Sequence, residues 1–218
     1  MTERMEMLGA EGVSRGLIAM LRTRLPKHLQ RQREQRSLTA EQLPDFDHGS
    51  MFTTPQPFAS VEKFPALMVV MESTDGRATN RQEAPDGSYD ELVMHYRAQI
   101  QLWTIGESYS LTELMVQRYV LAARAAVITG RVLGDQSSGN WGEVMLDRLR
   151  EGYTDPLQEQ SGNGWLGGGY VEFHVQAHER LWTDAGWAGT EPIVETPQTD
   201  VRADSTLTVH PALLDEPL

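Results

Sequence analysis

The chain has 218 residues, 39% of them hydrophobic, no cysteine and a formal net charge of −12. The absence of cysteine excludes disulfides, zinc–thiolate sites and thiol nucleophiles together, and no stretch is long and apolar enough to cross a bilayer. The acidic balance argues against affinity for the phosphate backbone of nucleic acid, while the length supports one real core with extensions.

Met1 to Ala10 is acidic and has no apolar segment, so no secretory signal is expected there. The first helix is expected from about Val13 to Gln35, with Ser14 as N-cap. Val13, Leu17, Leu21, Leu25 and Leu29 recur at steps of four, and Ile18 and Met20 widen the stripe. Pro26 should end or kink this helix, since it removes an amide donor and crowds the preceding turn. The opposite face carries Arg22, Arg24, Arg31, Arg33 and Arg36. It reads either as a solvated cationic face or as a contact with an acidic neighbouring subunit.

Residues 37–60 hold Pro44, Pro55 and Pro57 among Asp and Gly, which predicts a long irregular arm. Phe46, Met51, Phe52 and Phe58 make it too apolar for a solvated linker, so it should pack on its own domain or on a neighbour. Phe64 to Met71 is a continuous apolar run and reads as a strand buried on both sides. Ser73 to Ser88 carries the turn signals Asp75-Gly76 and Pro85-Asp86-Gly87, and predicts a loop into the next strand.

That strand is the clearest in the chain. Leu92, Met94, Tyr96, Ala98, Ile100 and Leu102 alternate with Val93, His95, Arg97, Gln99 and Gln101. Val171, Phe173, Val175, Ala177 and Leu181 alternate in the same way with Glu172, His174, Gln176, His178 and Arg180, and only Glu179 breaks the apolar set. Period two means a sheet with one covered face and one polar face. Between the two strands lies a strong helix. It is expected to start after Ser110, with Glu113 completing a capping box, and to fray at Gly130 and Gly134. Its apolar face is read as Leu111, Leu114, Met115, Tyr119, Ala122, Ala125, Ala126, Ile128, Thr129 and Val132, with Arg118, Arg124 and Arg131 outside most of it. Asp135 to Gly142 reads as a loop. Val144 to Tyr153 fits neither period well and is taken as a third strand stopped by Asp155-Pro156. Gly162 to Gly169 is a glycine-rich entry to the fourth strand.

The order helix, strand, strand, helix, strand, strand predicts an α+β fold: an antiparallel four-stranded sheet with both helices on its apolar face. Residues 1–182 form the domain and residues 183–218 an acidic extended tail. The charge is uneven: residues 1–36 carry +4, residues 37–182 carry −10 and residues 183–218 carry −6.

No reactive motif competes with this layout. Gly167-Gly168-Gly169 precedes a strand, so a hinge or bulge is expected there and not a phosphate loop. His95, His174 and His178 share the polar sheet face. Metal binding there would need these histidines with a carboxylate such as Glu172, and unliganded surface histidines are the simpler reading. Nothing points to general acid–base chemistry. Trp165, Trp182 and Trp187 lie late in the chain and serve either an interface or the core. No catalytic residue, cofactor or metal is expected.

The element order, with Phe64-Pro65-Ala66-Leu67-Met68-Val69-Val70 at the first strand, the Met94 to Trp103 strand, the Leu111 to Leu133 helix, Tyr153-Thr154-Asp155-Pro156 and Gly169-Tyr170-Val171-Glu172-Phe173, resembles the tail terminator proteins of long-tailed bacteriophages. The resemblance covers roughly residues 13–181. It implies a structural virion protein without catalytic residues, made in the host cytoplasm. Such a protein forms a homohexameric ring that caps the tail tube on the major tail tube protein and meets the head–tail connector or stopper protein. Genomic DNA passes through the lumen without sequence-specific binding, and no membrane is involved. The loops at 73–88 and 135–142 would reach the tube or the connector. Ring closure needs two different complementary patches on each subunit, which makes the five arginines of the first helix candidate subunit-interface residues. The same features also fit a neighbouring head-completion, neck or minor tail protein. Readings of other classes are a small cytoplasmic enzyme using His174 and Glu172 on the polar sheet face, and a cytoplasmic adaptor with a similar layered fold.

Overall fold

The computed structural model describes residues 9–56, 61–75, 81–83, 89–134, 136, 139–158 and 164–182. The tail at 183–218, most of the 73–88 loop and part of the 135–142 loop lie outside them. The chain order is α1 (Gly9–Arg36), a short 3-10 turn (His48–Ser50), β1 (Met51–Phe52), β2 (Ala66–Asp75), β3 (Arg81–Glu83), β4 (Tyr89–Gly106), α2 (Tyr109–Thr129), β5 (Val132–Gly134), β6 (Trp141–Tyr153), β7 (Leu157–Gln158) and β8 (Trp165–Trp182).

The fold is α+β with two helices and a mixed sheet. Its four long strands are antiparallel and lie in the order β2-β4-β8-β6. The expected plain four-stranded sheet is therefore extended. β1 adds in parallel to β2, β5 adds to β6, and β3 and β7 pair with β4 and β8. These additions span only two or three residues each, too short to impose a period on the sequence.

β4 and β8 pair without a break from Tyr89↔Trp182 to Gly106↔Trp165. Tyr96, Ala98, Ile100 and Leu102 of β4 and Val171, Phe173, Val175 and Ala177 of β8 join Leu17, Leu21, Leu25, Leu29, Met115, Tyr119, Val120 and Ala126 of the helices in one core. Both helices thus cover one sheet face, as the alternation implies.

Local differences from the sequence expectations have identifiable causes. α1 starts at Gly9, so Ser14 is a buried helix residue and not a cap. α1 also runs through Pro26, which is exposed, so solvent can reach the carbonyl whose amide partner Pro26 lacks. α2 is capped by Ser108, which accepts from the Leu111 amide at 3.3 Å, and not by Ser110. It ends at Thr129, and Val132 to Gly134, expected as its fraying end, is a strand. The face of α2 is rotated from the expected one: Val116, Val120, Ala123 and Val127 are buried, while Leu111, Leu114 and Ile128 are exposed.

The glycine run sits inside β8 and is neither a hinge nor a bulge. A Cβ at Gly168 would stand 2.5 Å from the Trp103 ring, and one at Gly169 2.6 Å from Val120 Cγ2. α2 rests directly on one side of the strand and an indole on the other. The irregular period of β6 also has a cause. Between Met145↔His174 and Arg150↔Glu172, four β6 residues oppose one of β8. This bulge shifts the faces out of phase.

The arm packs on its own domain over its described part. Leu43, Phe46 and Met51 are buried in the core. Phe46 meets Tyr119 edge to face at 5.0 Å, and the Tyr119 hydroxyl donates to the Pro44 carbonyl at 2.9 Å.

Candidate interaction surfaces

Three surfaces carry the polar chemistry of the described residues. The first is the open face of the sheet. The register places Arg97 opposite His174, Gln99 opposite Glu172, and His95 opposite Gln176. The polar positions of the second and fourth long strands are therefore neighbours. Two of its arginines are ion-paired. Arg97 bridges Glu72 at 2.7 Å and Glu172 at 3.0 Å, and Arg180 meets Glu91 at 2.7 Å. His178 stacks flat on Trp141, with ring centroids 4.1 Å apart. Glu172 is buried and accepts from Arg97 Nε at 3.1 Å. Among the described residues no three His, Asp or Glu side chains come together as a metal site. No described helix is long and apolar enough to cross a membrane.

The second surface is α1. At about 100° per residue, Arg22 and Arg33 fall on one flank of the apolar stripe and Arg24 and Arg31 on the other. The five arginines therefore do not form one cationic face. Arg22 donates to the His48 carbonyl at 3.3 Å. Arg33 donates to the Leu43 carbonyl at 2.8 Å and pairs with Asp45 at 2.7 Å. Both hold the arm against the helix. Charge reversal at Arg33 would release the arm, so it reads out folding before association. Arg36 donates to Gln32 and lies at the C-terminal end of α1. Arg24 and Arg31 are exposed and flank His28.

His28 is buried and its Nε2 stands 3.0 Å from the Thr129 hydroxyl, at the end of α2. Burial, then the charges of Arg31 and Arg24, hold its pKa below 6.5. The unfolded chain binds this proton at pH about 6.5 and the folded chain only at lower pH. Stability should therefore be intact above pH about 6.5 and fall as pH drops toward the folded value. In a titration followed by imidazole NMR, His28 should titrate below 6.5, and Arg31→Gln should move it upward. Titration at or above 6.5 in the native chain would contradict the geometry.

The third surface is a cleft that sequence reasoning passed over. Arg36, Leu114, Gln117, Arg118, Leu121, Arg124, Glu151 and Tyr153 line it, where α1, α2 and β6 meet. Arg124 is held by both oxygens of Glu151 at 3.0 and 3.1 Å. Arg118 is partly buried beside Arg36 and makes no hydrogen bond or ion pair among the described residues. Burial and the neighbouring Arg36 charge lower its pKa from the usual arginine value.

No protein-family model and no curated protein matches the sequence. Among solved structures, the chain is similar to one from the virion of a native gene transfer agent particle. The identity is 13%, the match covers 63% of this chain and 90% of the other, and the TM-score is 0.22. A likeness at that score carries no assignment of fold or role.

The break that the sequence shows in the β8 alternation has a structural role. Glu179, the single break in the β8 alternation, is buried on the helix-covered face. It accepts from the Tyr96 hydroxyl at 2.7 Å and from the Gly9 amide at 3.2 Å. The exception in the pattern is thus a carboxylate placed at the N-terminus of α1, where the helix dipole favours negative charge.

Proposed function

We propose that the chain is a structural protein of a tailed, phage-like particle, of the tail-terminator type. In this reading it has no catalytic role. It closes into a ring of copies, six in the family it resembles, on the end of the tail tube. That ring meets the head connector and lets DNA pass through its lumen without sequence-specific binding. One observation carries the proposal. The six principal elements fold in the order α-β-β-α-β-β onto a single sheet, with both helices on one face. The other face is left polar, with Arg97 and Arg180 ion-paired on it. A polar face whose Arg97 and Arg180 are already held by carboxylates suits a wall past which a polyanion moves without sticking, and the acidic body, −10 over residues 37–182, agrees.

Deletion of the gene from the particle that encodes it tests this reading. Electron microscopy should show tails that are overlong or unable to join heads. Normal joined particles would overturn it. Heads that leak DNA beside tails of normal length would favour the head-completion alternative.

A further inference from the structure

α2 has two apolar stripes, and the core uses only one. Thr112, Met115, Val116, Tyr119, Ala123, Ala126 and Val127 face inward. Leu111, Leu114, Leu121, Ala125 and Ile128 recur at helical spacing on a second face, interrupted by Arg118. Leu111, Leu114 and Ile128 of this stripe are exposed. Tyr109, Tyr153 and Leu157 are exposed beside its N-terminal half: Tyr153 lines the cleft with Leu114, and Tyr109 packs edge-on against Trp165, which pairs with Gln158 next to Leu157. A cation partly removed from water without an anion, next to a second cation, is an arrangement that a partner's carboxylate would relieve. Apolar side chains around clustered arginines match the centre of a protein–protein interface more closely than a phosphate track.

We propose that the Arg36–Arg118–Arg124 cleft with the outer stripe of α2 is one half of a head-to-tail contact between copies of this chain, and that it receives acidic surface of the next copy. Charge complementarity selects the occupant. The chain as a whole is −12, so a second copy offers carboxylates in excess. Two different surfaces meeting is also the heterologous contact from which rings close. The inference takes only this closure from the ring reading.

The test is sedimentation velocity of the full chain over a concentration series at low and high salt. The wild type should associate reversibly, less so at high salt. Arg118→Glu should lower the association constant by about tenfold or more, as truncating a desolvated charged contact does. Arg118→Lys should retain part of it. Leu114→Lys, at a side chain 46% exposed, should weaken association without touching the core, and it decides the matter if Arg118→Glu fails to fold. A wild type that stays monomeric throughout overturns the inference, as do variants that associate like wild type. So does a result in which Arg118→Glu weakens duplex DNA binding and leaves self-association intact. The two readings fail separately. A deletion phenotype with a monomeric chain removes the cleft contact alone. Cleft-dependent association with normal particles after deletion removes the tail-cap role alone.

Discussion

Gly169→Val should destabilise the fold by about 3 kcal/mol or more, at the upper end of overpacking costs. The new Cβ alone would stand 2.6 Å from Val120 Cγ2, 2.9 Å from Val116 Cγ1 and 3.1 Å from the Gly152 carbonyl oxygen. The first two contacts are side chains of α2, which sits directly on the strand. The third is backbone of the paired strand β6 and cannot turn away. β8 is held on both flanks by ladders, so it cannot retreat either. Urea unfolding measures the loss. A companion Val120→Ala change opens space on the α2 side and should restore part of the stability of Gly169→Ala. A loss below about 1 kcal/mol for Gly169→Val would mean that helix and strand are not in the close contact described.

Tyr96→Phe should cost about 2 kcal/mol, the size of a buried hydrogen bond to a charged group. Its hydroxyl donates to Glu179 at 2.7 Å, and the Gly9 amide is the other donor to that carboxylate. Burial and the Glu179 charge push the phenol well above its usual pKa, so it stays protonated and donating across the neutral range. Removing it leaves Glu179, buried at 6% exposure, with one donor fewer. Glu179→Gln keeps an acceptor for both donors and should cost less. A double-mutant cycle isolates the pair: the combined loss should be smaller than the sum of the single losses. Strict additivity would show that the two groups do not share a bond.

Much of this fold is legible in the sequence because β4 and β8 are half-buried. One face must be apolar and the other polar, and alternation records that directly. Alternation does not say which strands are neighbours, and the pairing of β4 with β8 is seen only in the ladder. What escaped was written in partners and not in periods. A glycine run signals a turn if nothing lies near it and a close approach if something does, and sequence alone does not say which. The cap of α2 is Ser108, two residues before the expected Ser110. β6 hides its phase because its bulge puts four residues opposite one.

The site reading divides in the same way. The sequence reading puts the arginines of α1 on one face, although their spacing sets Arg24 and Arg31 across the stripe from Arg22 and Arg33. That signal was available. The pairing of Arg33 with an arm residue ten positions and more away was not. The second stripe of α2 was also legible, since Leu111, Leu114, Leu121, Ala125 and Ile128 repeat at three and four. It runs into the core stripe because a helix rich in apolar residues shows no sharp boundary between two adjacent faces.

β8 is the last described strand in the chain, yet it lies in the middle of the sheet, between β4 and β6. During synthesis on the ribosome, the helices and the β2–β4 ladder can form before it emerges. The inward edges of β4 and β6 then wait as unpaired templates, open to strands of other nascent chains. Completion depends on a late, long-range insertion that zips two ladders at once. Such a topology folds slowly for its size, and a message cut short upstream of residue 165 would yield a product prone to aggregate, because the keystone of its sheet is missing.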